Sequence, residues 1–191
     1  MLQLAPFLVS TPERIRMSNE FYVSSIEALL KSLKEGNFNE EDWKILKRCN
    51  SQEYCETYIK RFKGAENEHL IPAIYKISLR YRASKFAALD PFDTECLICV
   101  LEYEDVRREF DDPKYLAKRV RMSGRKRGWK LAIENIVLKK GSSKGFDILH
   151  KFKRLEASFE FFMLSNSTHF EPKVLDAARA RLTDHGFHFK P

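Results

Sequence analysis

The chain has 191 residues, with 34 Lys and Arg against 27 Asp and Glu for a net charge of +7, and it is 43% hydrophobic and 13% aromatic. Seven Gly, seven Pro and 15 Phe exclude a collagen-like, low-complexity or disordered chain and leave material for a sizeable core. Apolar runs such as Leu97 to Leu101 and Phe159 to Leu164 stop far short of the ~20 residues that span a bilayer, so no membrane partner is expected.

At the N-terminus, MLQLAPFLVS has no basic leader and is interrupted by Pro6, which argues against a cleaved signal peptide. Thr11-Pro12-Glu13 supplies a cap, a proline and an acid, and predicts a helix start. Ile15, Tyr22, Ile26, Leu29, Leu30 and Leu33 then recur at helical spacing until Gly36. Asn39, followed by Glu40, Glu41 and Asp42, opens a second helix with Trp43, Ile45 and Leu46 on its inner side. Tyr54, Cys55, Tyr58, Ile59 and Phe62 mark a third, ended by Gly64. This pair reads as a plain helical hairpin and not as a DNA-reading helix-turn-helix, because its first helix starts acidic and no glycine marks the turn.

Pro72 opens a helix predicted to reach about Leu89, with Ile74, Ile77, Tyr81 and Phe86 inward. The run TECLICVLEYEDVRREF admits a buried strand or a long helix, and the i,i+4 pair Glu104–Arg108 favours the helix. Asp112-Pro113 repeats the cap-plus-proline start, for a helix through about Met122. SGRKRG is then a loop between two glycines, and Trp129, Ile133, Ile136 and Val137 give a helix to Lys140. GSSKG is a second turn. Phe146, Leu149, Phe152, Leu155, Phe159 and Phe162 suggest one long helix with an aromatic stripe, and Pro172 to Thr183 a last helix ended by Gly186. The expectation is a mainly α fold of roughly seven to eight helices. Composition shifts near Asp111–Pro113, which divides a slightly acidic part (1–111) from a basic part (112–191), both expected to pack as one globular unit.

Charge is the strongest functional signal. Lys114 to Arg154 holds 14 Lys and Arg against two acids, a local charge of +12, while the other 150 residues sum to −5. Cations brought against phosphates release condensed counterions, so such a cluster predicts salt-dependent affinity for DNA or RNA. Lys118, Arg119 and Arg121 lie on the first predicted helix of this stretch, where Lys114, Lys118 and Arg121 would form a stripe opposite Leu116 and Val120. Lys151 and Arg154 would extend that stripe if their helix docks nearby. Arg125, Lys126 and Arg127 fall in SGRKRG, and Lys130 follows. Lys139, Lys140, Ser142, Ser143 and Lys144 surround the second turn, where hydroxyls and a helix start suit a phosphate. Trp129 has two readings, a ring stacking on an unpaired base or a core residue in phase with Ile133. An acidic protein is the alternative partner, for an adaptor or inhibitor. Composition leaves the oligomeric state open.

Catalytic signals are weak. Cys49, Cys55, Cys96 and Cys99 would supply a zinc tetrad, but their apolar surroundings suit buried thiols better. So few cysteines need no disulfide framework, and an intracellular, cytoplasmic setting is expected. Of the five histidines, His185 and His188 lie in a segment read as a frayed tail. Glu171-Pro172-Lys173 with Asp147 resembles fragments of a metal-dependent nuclease site, but Glu171 and Pro172 also read as an ordinary helix start. No GxxxxGKS/T, GxGxxG, HExxH or GxSxG occurs, so no cofactor and no catalytic residue is assigned.

Overall fold

Among the described residues, most stretches with three- and four-residue apolar spacing are helical. The structure, a computed structural model, describes residues 26–31, 33, 38–86 and 90–189, which are mainly helical and contain no strand. The predicted start at Thr11-Pro12-Glu13, its residues Ile15 and Tyr22, and the stop at Gly36 lie outside the described residues. The chain divides into two compact units, Met1–Ala88 and Leu89–Pro191. Lys and Arg outnumber Asp and Glu by 14 to 11 in the first and by 20 to 16 in the second. The basic stretch thus shares its unit with many of the chain's acids.

In the first unit, α1 spans Glu40–Arg48, α2 Gln52–Phe62 and α3 Ile71–Ala83, with a 3-10 turn at Glu66–Leu70. Asn39 and Asp42 form a capping box, the Asn39 side chain accepting from the Asp42 amide and the Asp42 carboxylate from the Asn39 amide, each at 2.9 Å. Leu29, Leu46, Cys49, Cys55, Phe62, Leu70, Ile74 and Ile77 form its core. The helix begun by Pro72 is shorter than predicted. It ends at Ala83, where the Ser84 hydroxyl donates to the Tyr81 carbonyl at 2.8 Å and competes with a further helical turn.

In the second unit, α4 (Pro91–Phe110) is capped by Asp90, whose side chain accepts from the Asp93 amide at 2.8 Å. Every residue from Cys96 to Leu101 is buried, so α4 is a core helix enclosed on all sides. Residues 111–117 form a turn, followed by α5 (Lys118–Arg127), α6 (Trp129–Val137), α7 (Lys144–Lys151), α8 (Phe159–Ser165) and α9 (Pro172–Asp184).

Three boundaries differ from the sequence reading. Asp112-Pro113 begins no helix, because the Asp112 carboxylate accepts from the Lys114 amide at 2.9 Å and closes a local turn. SGRKRG is not a loop, for α5 runs through Gly124 to Arg127 and only Gly128, with φ 96°, breaks it. The aromatic helix is split as well. Lys153 adopts φ 56°, the Arg154 amide turns back to the Leu149 carbonyl at 2.8 Å, and Ser158 caps a new helix through the Phe161 amide at 3.1 Å.

Buried charges clamp α6 at both ends. Asp93 Oδ1 accepts from the Lys130 amide at 2.8 Å, standing in for the side chain that Gly128 lacks at the N-cap. At the other end, Arg181 donates to the carbonyls of Val137 at 2.8 Å and Lys139 at 2.7 Å, and to Glu160 at 2.5 Å. An acid at the N-terminus and a cation at the C-terminus complement the helix dipole. Burial pushes the Glu160 carboxyl above its ordinary range, against the opposing pull of Arg181.

Candidate nucleic-acid interface

The basic stretch is anchored by one acid. Glu104 is fully buried on α4, and its Oε1 accepts from the Ala117 amide at 2.8 Å and from Arg121 Nε at 2.7 Å. Arg121 Nη2 donates to Oε2 at 2.5 Å. Glu104 therefore holds the N-terminal end of α5 and turns Arg121 inward, and it lies 3.9 Å from Arg108, the partner expected from sequence.

With Arg121 and the buried Val120 and Gly124 facing the unit, Lys118, Arg119, Met122, Arg125 and Lys126 fall on the opposite face, and all five are exposed. Their spacing of one, four, seven and eight residues from Lys118 makes one stripe about two turns long. Arg127, at the C-terminal end, is exposed and donates to the Ser123 hydroxyl at 3.2 Å. Met122, 62% exposed, stands in the middle of these cations.

The predicted stripe of Lys114, Lys118 and Arg121 does not form. Lys114 belongs to the turn, Arg121 is tied to Glu104, and Leu116 is exposed instead of marking a buried side. Nor does the aromatic helix extend the stripe, since Arg154 pairs with Glu156 at 2.5 Å and with Glu109 at 4.0 Å. Trp129 is 3% exposed, so the core reading holds and base stacking on its ring does not. Its ring lies against Gly124, where a Cβ would come within 2.3 Å of it. Lys130 is half-buried, 3.7 Å from Glu134 and 5.7 Å above the Phe170 ring.

Lys139, Lys140, Ser142 and Lys144 are exposed around the second turn. Ser143 is engaged as the N-cap of α7, its hydroxyl accepting from the Phe146 amide at 3.1 Å. Tyr103 of α4 brings the two turns of the basic stretch onto one side of the core. Its hydroxyl lies 3.3 Å from that of Tyr115 and accepts from Arg107 at 3.0 Å, and Gly145 packs directly on it.

The other candidate chemistry disperses. Cys49 and Cys55 belong to the first unit and Cys96 and Cys99 to the second, and all four are buried free thiols. Burial pushes the Cys96 and Cys99 thiols well up, which disfavours the thiolate a metal needs. Glu171 pairs with Lys173 at 2.7 Å at the start of α9, and Asp147 is an exposed first-turn acid of α7. Among the described residues, no three His, Cys, Asp or Glu side chains gather as metal ligands. The segment read as a frayed tail is packed. His185 donates from Nδ1 to the Arg181 carbonyl at 2.8 Å and stands edge-on to Phe146, while Phe187 and Phe189 stand edge-on to Phe161. Among the described residues no helix is long and apolar enough to cross a membrane.

No protein-family model, no curated protein and no solved structure matches the chain. Two features of the interface had only partial sequence signals. Glu104 was legible only as an i,i+4 partner of Arg108, whereas Arg121, which it holds at 2.7 Å, lies 17 residues away, beyond any helical spacing. Met122 was assigned to a helix end, and its exposure followed only once α5 extended past it.

Proposed function

We propose that this is a non-enzymatic, intracellular nucleic-acid-binding protein whose contact surface is the exposed face of α5, supplemented by Lys139, Lys140, Ser142 and Lys144. The observation that carries this reading is the clustering of Lys118, Arg119, Arg125 and Lys126 on one helical face whose inner side is fixed by Glu104. A rigid row of cations suits the regular phosphate spacing of a nucleic acid backbone, and it needs no catalytic group. Four buried thiols without a disulfide fit a reducing, cytoplasmic setting. The test is binding of labelled DNA and RNA by the full chain and by a variant with Arg125, Lys126 and Arg127 all changed to Gln. Loss of binding in the folded variant is expected, and unchanged binding overturns the assignment.

Met122 favours a second reading, an acidic protein partner with an apolar anchor, since phosphates make no use of a thioether. Met122→Ser separates the two. It leaves nucleic-acid affinity unchanged under the first reading and weakens an acidic protein complex under the second.

A further inference from the structure

Next to Lys130, in the first turn of α6, lies an aromatic cluster that the helical packing leaves partly open. Phe92, in the first turn of α4, is half-buried, and the His169 ring stacks on it with centroids 3.8 Å apart and planes 9° from parallel. Phe162 stacks offset from Phe92 at 6.1 Å, and Phe170 meets Phe92 edge-on at 5.5 Å. His169 itself is exposed, in the 3-10 turn Ser167–His169. A ring with one face on Phe92 has its other face available. One cation adjoins the cluster: Lys130 Nζ lies 5.7 Å above the Phe170 ring, and Lys130 is the next cation in the chain after Arg125, Lys126 and Arg127.

Duplex nucleic acid offers phosphates but hides its base faces. An unpaired strand offers both, and single-strand binders combine a cationic track with aromatic rings on which bases stack. Core packing alone accounts for the contacts among Phe92, Phe162 and Phe170, but it does not require an exposed planar ring laid flat on Phe92.

We infer that the ligand of the basic face is single-stranded nucleic acid, with an unpaired base stacking on His169 over Phe92 while Lys130 and the C-terminal cations of α5 hold the flanking phosphates. This rests on the nucleic-acid reading above and narrows it. Trp129, the stacking ring that the sequence offered, is thereby replaced by one 40 positions further along.

The test compares a short homopyrimidine strand carrying one 2-aminopurine, as RNA and as DNA, with the matching duplex, each titrated with the full chain. The single strand is expected to bind more tightly than the duplex and to lose 2-aminopurine fluorescence as the base stacks. His169→Ala should weaken single-strand binding about fivefold or more and restore the fluorescence, leaving duplex binding unchanged. His169→Tyr keeps a stacking ring and should retain both, which separates lost stacking from lost folding. Equal affinity for strand and duplex, or an unchanged quench in His169→Ala, overturns this inference and leaves the nucleic-acid reading standing. Absence of salt-dependent binding to either overturns both.

Discussion

Glu104 and Arg121 form the joint between the core and the basic helix: a wholly buried carboxylate receives both a guanidinium edge, at 2.7 and 2.5 Å, and the Ala117 amide at 2.8 Å. Removing Arg121 leaves the buried carboxylate only the Ala117 amide and the 3.9 Å approach of Arg108, and breaking a buried pair in this way typically costs about 3–5 kcal/mol. Arg121→Ala should therefore lower stability by that order in a urea melt. Joint replacement by Glu104→Leu and Arg121→Met should recover much of the loss. A neutral Arg121→Ala would show that this arginine belongs to the surface after all.

Gly124 tests whether α5 and α6 meet as described. In an exposed helix interior, Gly to Ala gains about 1 kcal/mol. Here a Cβ would lie 2.3 Å from the Trp129 ring, so Gly124→Ala should instead destabilise, by about 1–3 kcal/mol. Thermal unfolding of the variant gives the sign, and a raised melting temperature would contradict the packing.

Arg181 serves Glu160, the last carbonyl of α6 at Val137, and the Lys139 carbonyl just beyond it. Arg181→Met keeps the apolar stem but strands the buried acid and uncaps the helix, for a predicted loss of about 3–5 kcal/mol. Hydrogen exchange should show the amides of α6 opening more readily in this variant. If they are unchanged, the clamp does not hold the helix.

His69 gives the first unit a pH signature. Its Nε2 lies 3.1 Å from the Asp42 carboxylate, and that hydrogen bond raises the imidazole above its ordinary value of about 6.5. The protonated form is thus favoured by folding. The stability it adds is complete below the unfolded value and is lost as pH rises through the higher folded value. An NMR titration should place His69 above 6.5, and His69→Gln should flatten the loss of stability across that window. A titration at or below 6.5 would contradict the pairing.

Helices were legible in α1, α2 and α9 from apolar residues recurring at three and four, and in α4 from the i,i+4 spacing of Glu104 and Arg108. The failures were at points where a distant group decided the outcome. Gly124 reads as a loop residue until the Trp129 ring is placed against it, and Asp93 and Arg181 cap α6 from 37 and 44 residues away. The stripe from Phe146 to Phe162 has helical spacing, but Lys153 turns left-handed and breaks it, with nothing in its residue type to announce this. For the site, residue type indicated which side chains were cationic. Only the core determined which faced out, drawing Arg121 inward and leaving Lys118, Arg119, Arg125 and Lys126 on the surface.

Whether the exposed cations of α5 act together on a polyanion is read from the salt dependence of binding. Each single-strand phosphate contact contributes about −0.7 to the slope of log K against log salt, so five cations predict roughly −3.5. Changing Arg125, Lys126 and Arg127 to Gln should bring that slope closer to zero by about 2. A steep slope for the natural chain, reduced by that amount in the variant, is the predicted result. A slope near zero, or one that the triple change leaves untouched, would contradict it.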